Sequence, residues 1–480
     1  MESLVLVLVV CLENTSFSPL KCHVEGHPGR CPEEGNNIRP FSVHNMGDSI
    51  VAAFAAPTTV ISVAAAAAVT VASVVYYRRM MRRNGGSLLP TLPFSDDTVE
   101  AVLMPEAKVI DGLAFPLTIS PRADVDRIAF VRKHHKEILD LLAKHGAVLL
   151  RGWGPCLPEH FAAISGALQL TTTEMACSAG PRFRVADNVF TANEAPPCER
   201  IPFHHEMAQC DSPPAVVLFF CELAAPEGGA TPILQSHLAA NFLRAKHPEV
   251  AARLKEKGVR YVRIMPPVTD TSSALGKSWK HSLRVETAEA AEAALQHLES
   301  KWRWLPGGFL HTVTKKMPAL LVDARSGKEV FFTAAESTFN GVEDEANEAD
   351  EAGKTEQGAE PGAEASIRPI KAIIYGDGSP LDAATKAALL DVSAFMQAEQ
   401  VAIPWQPGDA LLLDNATVQH ARESFTPPRR ILASLVGRLS KVGSLHVPVL
   451  GAKIPSCSVS PSSTMDGLAD AMKHVSDFEL

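Results

Sequence analysis

A histidine and a glutamate two positions apart, His204 and Glu206, have the types and spacing of metal ligands. Side chains of an extended segment alternate between two faces, so residues at this spacing project to the same side. Together they can offer an imidazole nitrogen and a carboxylate oxygen to one divalent metal. A third ligand would complete a set of two histidines and one carboxylate, which leaves coordination positions open on iron(II). In a chain with 17 histidines, the same triplet also fits a polar edge strand on the surface.

A second cluster near the C-terminal end contains His420 and, shortly after it, Arg429 and Arg430. An arginine in that position can hold a dicarboxylate by a bidentate, charge-assisted pair while the other end of the molecule chelates the metal. The hydroxyl of Thr231, which follows a glycine turn, can add a hydrogen bond to that carboxylate. Taken singly, His420 is more often a satisfied core histidine, and Arg430 is more often a surface cation.

Alternating apolar segments and capping signals indicate a mixture of strands and helices around these residues. Strands are predicted at 147–151, 187–194, 215–223, 231–236, 320–323, 329–333, 410–413 and 431–437. Helices are predicted at 124–145, 158–168, 237–247, 248–257, 288–302 and 382–399.

Composition indicates a globular protein and argues against a nucleic-acid-binding function. The hydrophobic fraction is 46%, there are 35 prolines, and the formal net charge is -9. Segment 341–366 holds nine acidic residues and one lysine, so the remainder is close to neutral and has no basic stripe. This segment has almost no large apolar residue and is predicted to be a disordered insertion. The nine cysteines include no C-x-x-C pair, and those after residue 100 are interpreted as reduced thiols of an intracellular domain.

Segment 49–77 is predicted to be a transmembrane helix. From Ile50 to Tyr77 there is no charged residue, and arginines at 78, 79, 82 and 83 follow two interfacial tyrosines. The positive-inside rule then puts the rest of the chain in the cytosol, with 1–48 lumenal or a weak signal sequence and 78–100 a basic stop and linker. An organelle-targeting presequence is the alternative, although acidic residues in 1–48 argue against it. Segment 451–480 is a Ser/Pro-rich tail.

Four ordered motifs resemble the taurine catabolism dioxygenase (TauD/TfdA) family, and its clavaminate-synthase-like branch in particular. They are Ile-Pro-Phe-His-His-Glu-Met at 201–207, Glu-Gly-Gly-Ala-Thr-Pro at 227–232, Tyr-Gly-Asp-Gly-Ser-Pro at 375–380, and Gly-Asp-Ala-Leu-Leu-Leu-Asp-Asn at 408–415. The resemblance extends over a predicted domain at 101–450. It implies an α+β protein with a double-stranded β-helix (jelly roll) core and flanking helices.

The resemblance also implies cofactors and site residues. Fe(II), 2-oxoglutarate and O2 would serve to hydroxylate an unactivated C–H bond of a small organic substrate, with release of succinate and CO2. Carried over by position, His204, Glu206 and His420 bind the iron, and Thr231 and Arg430 bind 2-oxoglutarate. The expected partners are a small-molecule substrate and, through one N-terminal helix, a membrane; protein partners are left open.

The sequence departs from its relatives at several positions. Family members often have asparagine between the two proximal ligands, where this chain has His205; it should point to the face opposite His204. Thr333 stands where a hairpin asparagine is common. A substrate-binding arginine often lies four residues beyond the 2-oxoglutarate arginine, and here that position is Ser434. Arg184 is a candidate to hold a substrate anion in its place.

Two other classes of protein remain as alternatives. One is a non-catalytic jelly-roll protein that binds a metal for structure or sensing, which would have no use for a dicarboxylate arginine. The other is a zinc hydrolase, against which the absence of an H-E-x-x-H motif weighs.

Overall fold

A computed structural model describes residues 90–95, 97–173, 182–270, 276–334 and 370–439. The predicted N-terminal segment, membrane span, acidic insertion and C-terminal tail lie outside these residues, apart from the end of the linker. Within them, no helix is long and apolar enough to cross a bilayer.

The described residues contain many short strands and a smaller number of helices. The strands are β1 (Val99–Val102), β2 (Lys108–Ile110), β3 (Leu113–Phe115), β4 (Leu117–Pro121), β5 (Ala147–Leu150), β6 (Arg184–Ala186), β7 (Val189–Thr191), β8 (Ile201–His204), β9 (Val216–Leu223), β10 (Glu227–Gly228), β11 (Thr231–Gln235), β12 (Val259–Met265), β13 (Lys301–Leu305), β14 (Phe309–Val313), β15 (Leu320–Val322), β16 (Glu329–Phe331), β17 (Ile370–Tyr375), β18 (Val401–Ile403), β19 (Ala410–Asp414), β20 (Val418–Arg422), β21 (Phe425–Thr426) and β22 (Arg430–Val436). The helices are α1 (Arg127–Lys133), α2 (His135–His145), α3 (Pro158–Ala167), α4 (Ser236–Lys246), α5 (Pro248–Lys257), α6 (Trp279–Leu283), α7 (Ala288–His297) and α8 (Ala383–Glu399).

Two sheets packed face to face form the centre of the fold. The larger has eight strands in the order β1-β4-β5-β19-β9-β22-β7-β6, and the smaller has four in the order β18-β11-β20-β8. Apolar side chains from both sheets meet between them, including Phe219 and Leu411 from the larger and Ile233 and Val418 from the smaller. This is the expected α+β architecture with a jelly-roll core.

Strand β9 shows how the larger sheet is covered on both faces. Val217 and Phe219 point into the space between the sheets, whereas Leu218 and Phe220 point toward the helices. Phe161 of α3 stacks on Phe220, with ring centroids 5.2 Å apart. A strand buried on both sides reads as a continuous apolar run, which is why this segment was predictable without alternation.

A separate four-stranded sheet, β13-β14-β12-β17, stands beside the core and was not predicted. Part of it replaces a predicted helical turn: α7 ends at His297, and Trp302 lies in β13, which pairs with β14. Glu299 between them has a left-handed backbone with φ 52°. Strand pairing therefore overrides the helical pattern of 288–302 at its C-terminal end.

Two other predicted elements are divided. The predicted helix 124–145 breaks at His134, whose φ and ψ of -112° and 24° are not helical, into α1 and α2. The predicted strand 187–194 is the second half of a hairpin, β6 and β7, that turns at Asn188 with a left-handed φ of 51°. Asparagine tolerates this conformation better than most residues do.

Candidate metal centre and adjoining pocket

Three predicted ligands, His204, Glu206 and His420, lie together between the two sheets. His204 ends β8 and is the cross-strand partner of His420 on β20, with ring centroids 4.4 Å apart. Oε2 of Glu206 lies 3.8 Å from Nε2 of His420. One ligand atom from each residue lies within 4.8 Å of the other two, a spacing that a single metal ion can bridge.

Glu206 reaches this position by a different route from the one predicted. Strand β8 ends at His204, and Glu206 lies in the turn that follows, next to Met207 with a left-handed φ of 55°. Strand alternation alone therefore does not bring the carboxylate to the face of His204. The turn does, and its geometry has to be maintained by contacts outside the strand.

Both histidines can present a neutral imidazole to a metal. Nδ1 of His204 lies 2.9 Å from the carbonyl oxygen of Pro202. Because a carbonyl can only accept, Nδ1 donates and Nε2 keeps its lone pair. Burial, followed by the neighbouring His204 and Arg182, holds the pKa of His420 well below its usual range. Two imidazoles and one carboxylate suit Fe(II) well.

Arg182 is a charged neighbour of the metal centre that the sequence did not reveal. Its Nη2 lies 3.1 Å and 3.3 Å from the two carboxylate oxygens of Glu206. The pair is buried, with 9% of the arginine side chain and 4% of the glutamate side chain exposed. No motif or spacing marks Arg182, because its place next to Glu206 depends on tertiary structure alone.

A cavity of about 40 Å³ adjoins the ligands. Its lining includes His204, His420, Thr231, Arg182, Arg422 and Arg429. The predicted metal ligands His204 and His420 and the predicted hydroxyl of Thr231 therefore border one space. Three arginines also line this cavity.

Arg429, and not Arg430, reaches this cavity. The predicted Arg430 points outward, with 48% of its side chain exposed and its Nε 3.0 Å from Oε2 of Glu222. In β22 the side chains of Ile431 and Ala433 face the space between the sheets, and the strand is irregular between Arg430 and Ile431. Period-two alternation from Ile431 turns residue 429 inward and residue 430 outward.

Burial and the nearby Arg422 lower the pKa of Arg429 to about 10, so the guanidinium stays cationic at neutral pH. Its Nε donates to the carbonyl oxygen of Gly229 at 2.9 Å. Among the described residues, no carboxylate lies within 4.0 Å of it. A half-buried guanidinium that lines the cavity and has no carboxylate at this distance can bind an anion that enters it.

Thr231 lies in the cavity as predicted and is 4% exposed. Its Oγ1 accepts a hydrogen bond of 3.0 Å from Nε1 of Trp405. Because an indole nitrogen can only donate, the hydroxyl proton of Thr231 remains available to a ligand. Trp405 follows β18 and lies outside the motifs that mark the site in the sequence.

The residues named as departures from the family lie elsewhere. Ser434 is buried on the opposite side of β22, where its Oγ lies 2.8 Å from Oγ of Ser165. The inward position four residues beyond Arg429 is Ala433, so no arginine occurs there. Arg184 is 65% exposed and pairs with Asp187 at 2.9 Å, away from the cavity lining. The main-chain oxygen of Thr333 accepts a bond from the nitrogen of His205 at 3.1 Å.

Comparison with known proteins identifies the family. The family model for taurine catabolism dioxygenase TauD, TfdA family, matches residues 114–436. A clavaminate synthase-like protein from Arabidopsis thaliana is 36% identical over 341 residues, covering 69% of this chain and 96% of that protein. The dapdiamide synthesis protein DdaC from Enterobacter agglomerans is 24% identical over 310 residues, covering 63% of this chain and 85% of that protein.

Among solved structures, PvcB, described as an Fe, alpha-ketoglutarate dependent oxygenase, matches with a TM-score of 0.40 and 13% identity. The match covers 73% of this chain and 96% of that one. Family membership rests on the match over residues 114–436 and on the Arabidopsis relative. The chain belongs to the TauD/TfdA family and is a 2-oxoglutarate-dependent dioxygenase with the Fe(II) cofactor that the resemblance implied.

Proposed function

We propose that the protein hydroxylates an unactivated C–H bond of a small organic substrate, coupled to the conversion of 2-oxoglutarate and O2 to succinate and CO2. The observation that carries the proposal is one cavity bordered by His204, His420, Thr231 and Arg429, with Glu206 beside it. The histidines and the carboxylate would hold Fe(II). The arginine and the hydroxyl would hold the far carboxylate of 2-oxoglutarate.

Each part of the chain's own machinery has a defined task. Arg429 would orient the dicarboxylate by a charge-assisted pair, and Thr231 would donate to the same group. When bound, the iron supplies the oxidative chemistry that no amino-acid side chain provides. The apolar walls, which include Phe219 and Ile431, limit the access of water to the reacting groups.

The arginine that lines the cavity, Arg429, also separates this proposal from the alternatives. A metal held only for structure or sensing would not require a guanidinium that lines the same cavity and lacks a carboxylate partner among the described residues. A zinc hydrolase activates water at the metal and likewise has no need of it. The dioxygenase is the one class that uses the metal ligands and Arg429 together.

The test is spectroscopic. Fe(II) and 2-oxoglutarate are added without oxygen to the purified protein, and the metal-to-ligand charge-transfer band is recorded. We expect a band in the wild type and none in His204→Ala. A wild-type protein that binds Fe(II) without the band would contradict the proposal. A band that persists in His204→Ala would contradict the assignment of this ligand.

We propose further, from the sequence alone, that segment 49–77 anchors the enzyme in a membrane with residues 101–450 in the cytosol. The absence of charge from Ile50 to Tyr77 and the arginines that follow support this. Alkaline carbonate extraction of the full chain tests it: we expect the protein in the membrane pellet. Release into the supernatant, or N-terminal cleavage after import into an organelle, would favour the targeting presequence.

A further inference from the structure

Asn415 and His205 connect the two segments that carry the metal ligands. Asn415 lies in the turn between β19 and β20, the strand of His420, whereas His205 lies between the ligands His204 and Glu206. Both side chains are fully buried, with 0% exposure. Neither residue lines the pocket, so their contacts concern the placement of the ligands rather than the substrate.

The side chain of Asn415 holds the backbone of Glu206 on both sides. Its Oδ1 accepts from the nitrogen of Glu206 at 2.9 Å, and its Nδ2 donates to the carbonyl oxygen of Glu206 at 3.0 Å. The second hydrogen of Nδ2 is donated to the carbonyl oxygen of Pro214 at 2.9 Å. Both donors of the amide are therefore used, and a carboxylate of the same shape could not replace them.

His205 completes the connection from the other side. Its Nδ1 lies 2.7 Å from the main-chain oxygen of Asn415, and its Nε2 lies 2.7 Å from Oγ of Ser236. Its ring stacks on Phe332 with centroids 4.2 Å apart. Because a carbonyl only accepts, Nδ1 carries a proton, and in the neutral ring Nε2 accepts from the hydroxyl of Ser236.

These contacts are needed because of the way Glu206 is reached. Glu206 lies beyond the end of β8, so no ladder of strand hydrogen bonds fixes its main chain, while Arg182 contacts its carboxylate oxygens. The side chain of Asn415 bonds the main chain of Glu206 instead. It thereby ties Glu206 to the turn that precedes β20, the strand of His420. Residues that orient metal ligands typically contribute 10- to 100-fold in metal affinity.

We infer that Asn415, supported by His205, is a positioning residue that holds the Glu206 carboxylate in register with the two histidine ligands. The inference rests on the proposed metal site but not on 2-oxoglutarate or on turnover. The inference also gives a role to His205, which stands where many relatives have asparagine. His205 follows a metal ligand in the chain, and its side chain bonds the turn that contains Asn415.

The test measures binding of Co(II) alone, by calorimetry, to the full chain and its variants. We expect Asn415→Ala to weaken Co(II) binding by about 10- to 100-fold. In a Glu206→Ala background the same substitution should have no further effect, because Asn415 acts through Glu206. Asn188→Ala is the matched control, because Asn188 also donates two hydrogen bonds, to Ser434 and Leu435, but contacts neither ligand-bearing turn.

Three outcomes would overturn the inference: binding by Asn415→Ala within twofold of the wild type, an undiminished effect in the Glu206→Ala background, or an equal loss in Asn188→Ala. If Asn415→Ala does not fold, His205→Gln is judged by the same cycle. Because the readout needs no 2-oxoglutarate, a missing charge-transfer band in the wild type would refute the proposed function while leaving this result interpretable.

Discussion

Substitution of Arg429 by glutamine should abolish tight binding of 2-oxoglutarate, while the same substitution of Arg430 should have little effect. The two residues are adjacent and of one type, so each is a control for the other. Arg429 is half-buried and lines the cavity, and desolvation there lowers its pKa to about 10. Arg430 is half exposed and pairs with Glu222.

The structure sets the size of the difference. Removing one partner of a buried, hydrogen-bonded charge pair costs about 2–5 kcal/mol. At about 1.4 kcal/mol for each factor of ten, Arg429→Gln should weaken 2-oxoglutarate binding by about 30- to 4,000-fold. An exposed ion pair contributes only about 0.2–1 kcal/mol to stability, so Arg430→Gln should change 2-oxoglutarate binding by less than about fivefold.

The assay is an anaerobic titration of the Fe(II)-loaded protein with 2-oxoglutarate, followed by the charge-transfer band. Fe(II) affinity, measured separately, should be unchanged in both variants. If Arg430→Gln loses binding and Arg429→Gln keeps it, the strand register derived from Ile431 and Ala433 is wrong. If neither variant loses binding, the co-substrate is held by other residues.

Three further predictions concern the hydroxyl, pH and the core. Thr231→Val should weaken 2-oxoglutarate binding by about 2- to 13-fold in the same titration, since a neutral hydrogen bond contributes about 0.5–1.5 kcal/mol; an unchanged affinity would remove Thr231 from the site. Burial lowers the pKa of His145 in the folded protein, so the unfolded chain binds the proton at a higher pH than the folded one. The free energy of unfolding should therefore fall as pH decreases below about 6.5, by at most about 1.4 kcal/mol per pH unit. Urea unfolding between pH 7.5 and 5.5 should show a smaller loss in His145→Gln, and an equal loss would assign it to other groups. Phe161→Ala should reduce the free energy of unfolding by about 3–5 kcal/mol, because the ring is fully buried against Phe220; a loss below about 1 kcal/mol would show that the site collapses around the missing ring.

Motif order was sufficient to predict the family, the fold class and the grouping of His204, Glu206, His420 and Thr231. These residues lie in segments whose local signals are strong: a short spacing, a glycine turn and an apolar strand. The inward arginine was missed because Arg430 was assigned by its position in the resemblance, whereas period-two alternation back from Ile431 and Ala433 turns residue 429 inward.

Contacts between segments that are distant in the sequence could not be predicted from hydrophobic periodicity either. Arg182 meets Glu206 only after the chain has folded, and the turn that carries Glu206 depends on Asn415, which lies far along the sequence. The pattern at 288–302 is helical by local preference, yet pairing with β14 extends Trp302 into a strand. Tertiary contacts decide each of these cases.

Strand β8 lies at the edge of the four-stranded sheet, with β20 as its neighbour in that sheet. His204 and His420 face each other across this pair, and the register shifts immediately beyond them. A metal ion bound to both would act as a reversible crosslink between an edge strand and the interior of the sheet. Local opening of the edge would then require metal release, so amides of β8 should exchange more slowly in proportion to metal occupancy. When iron is scarce, local opening of β8 would therefore increase first, at a metal occupancy at which the domain as a whole is still folded.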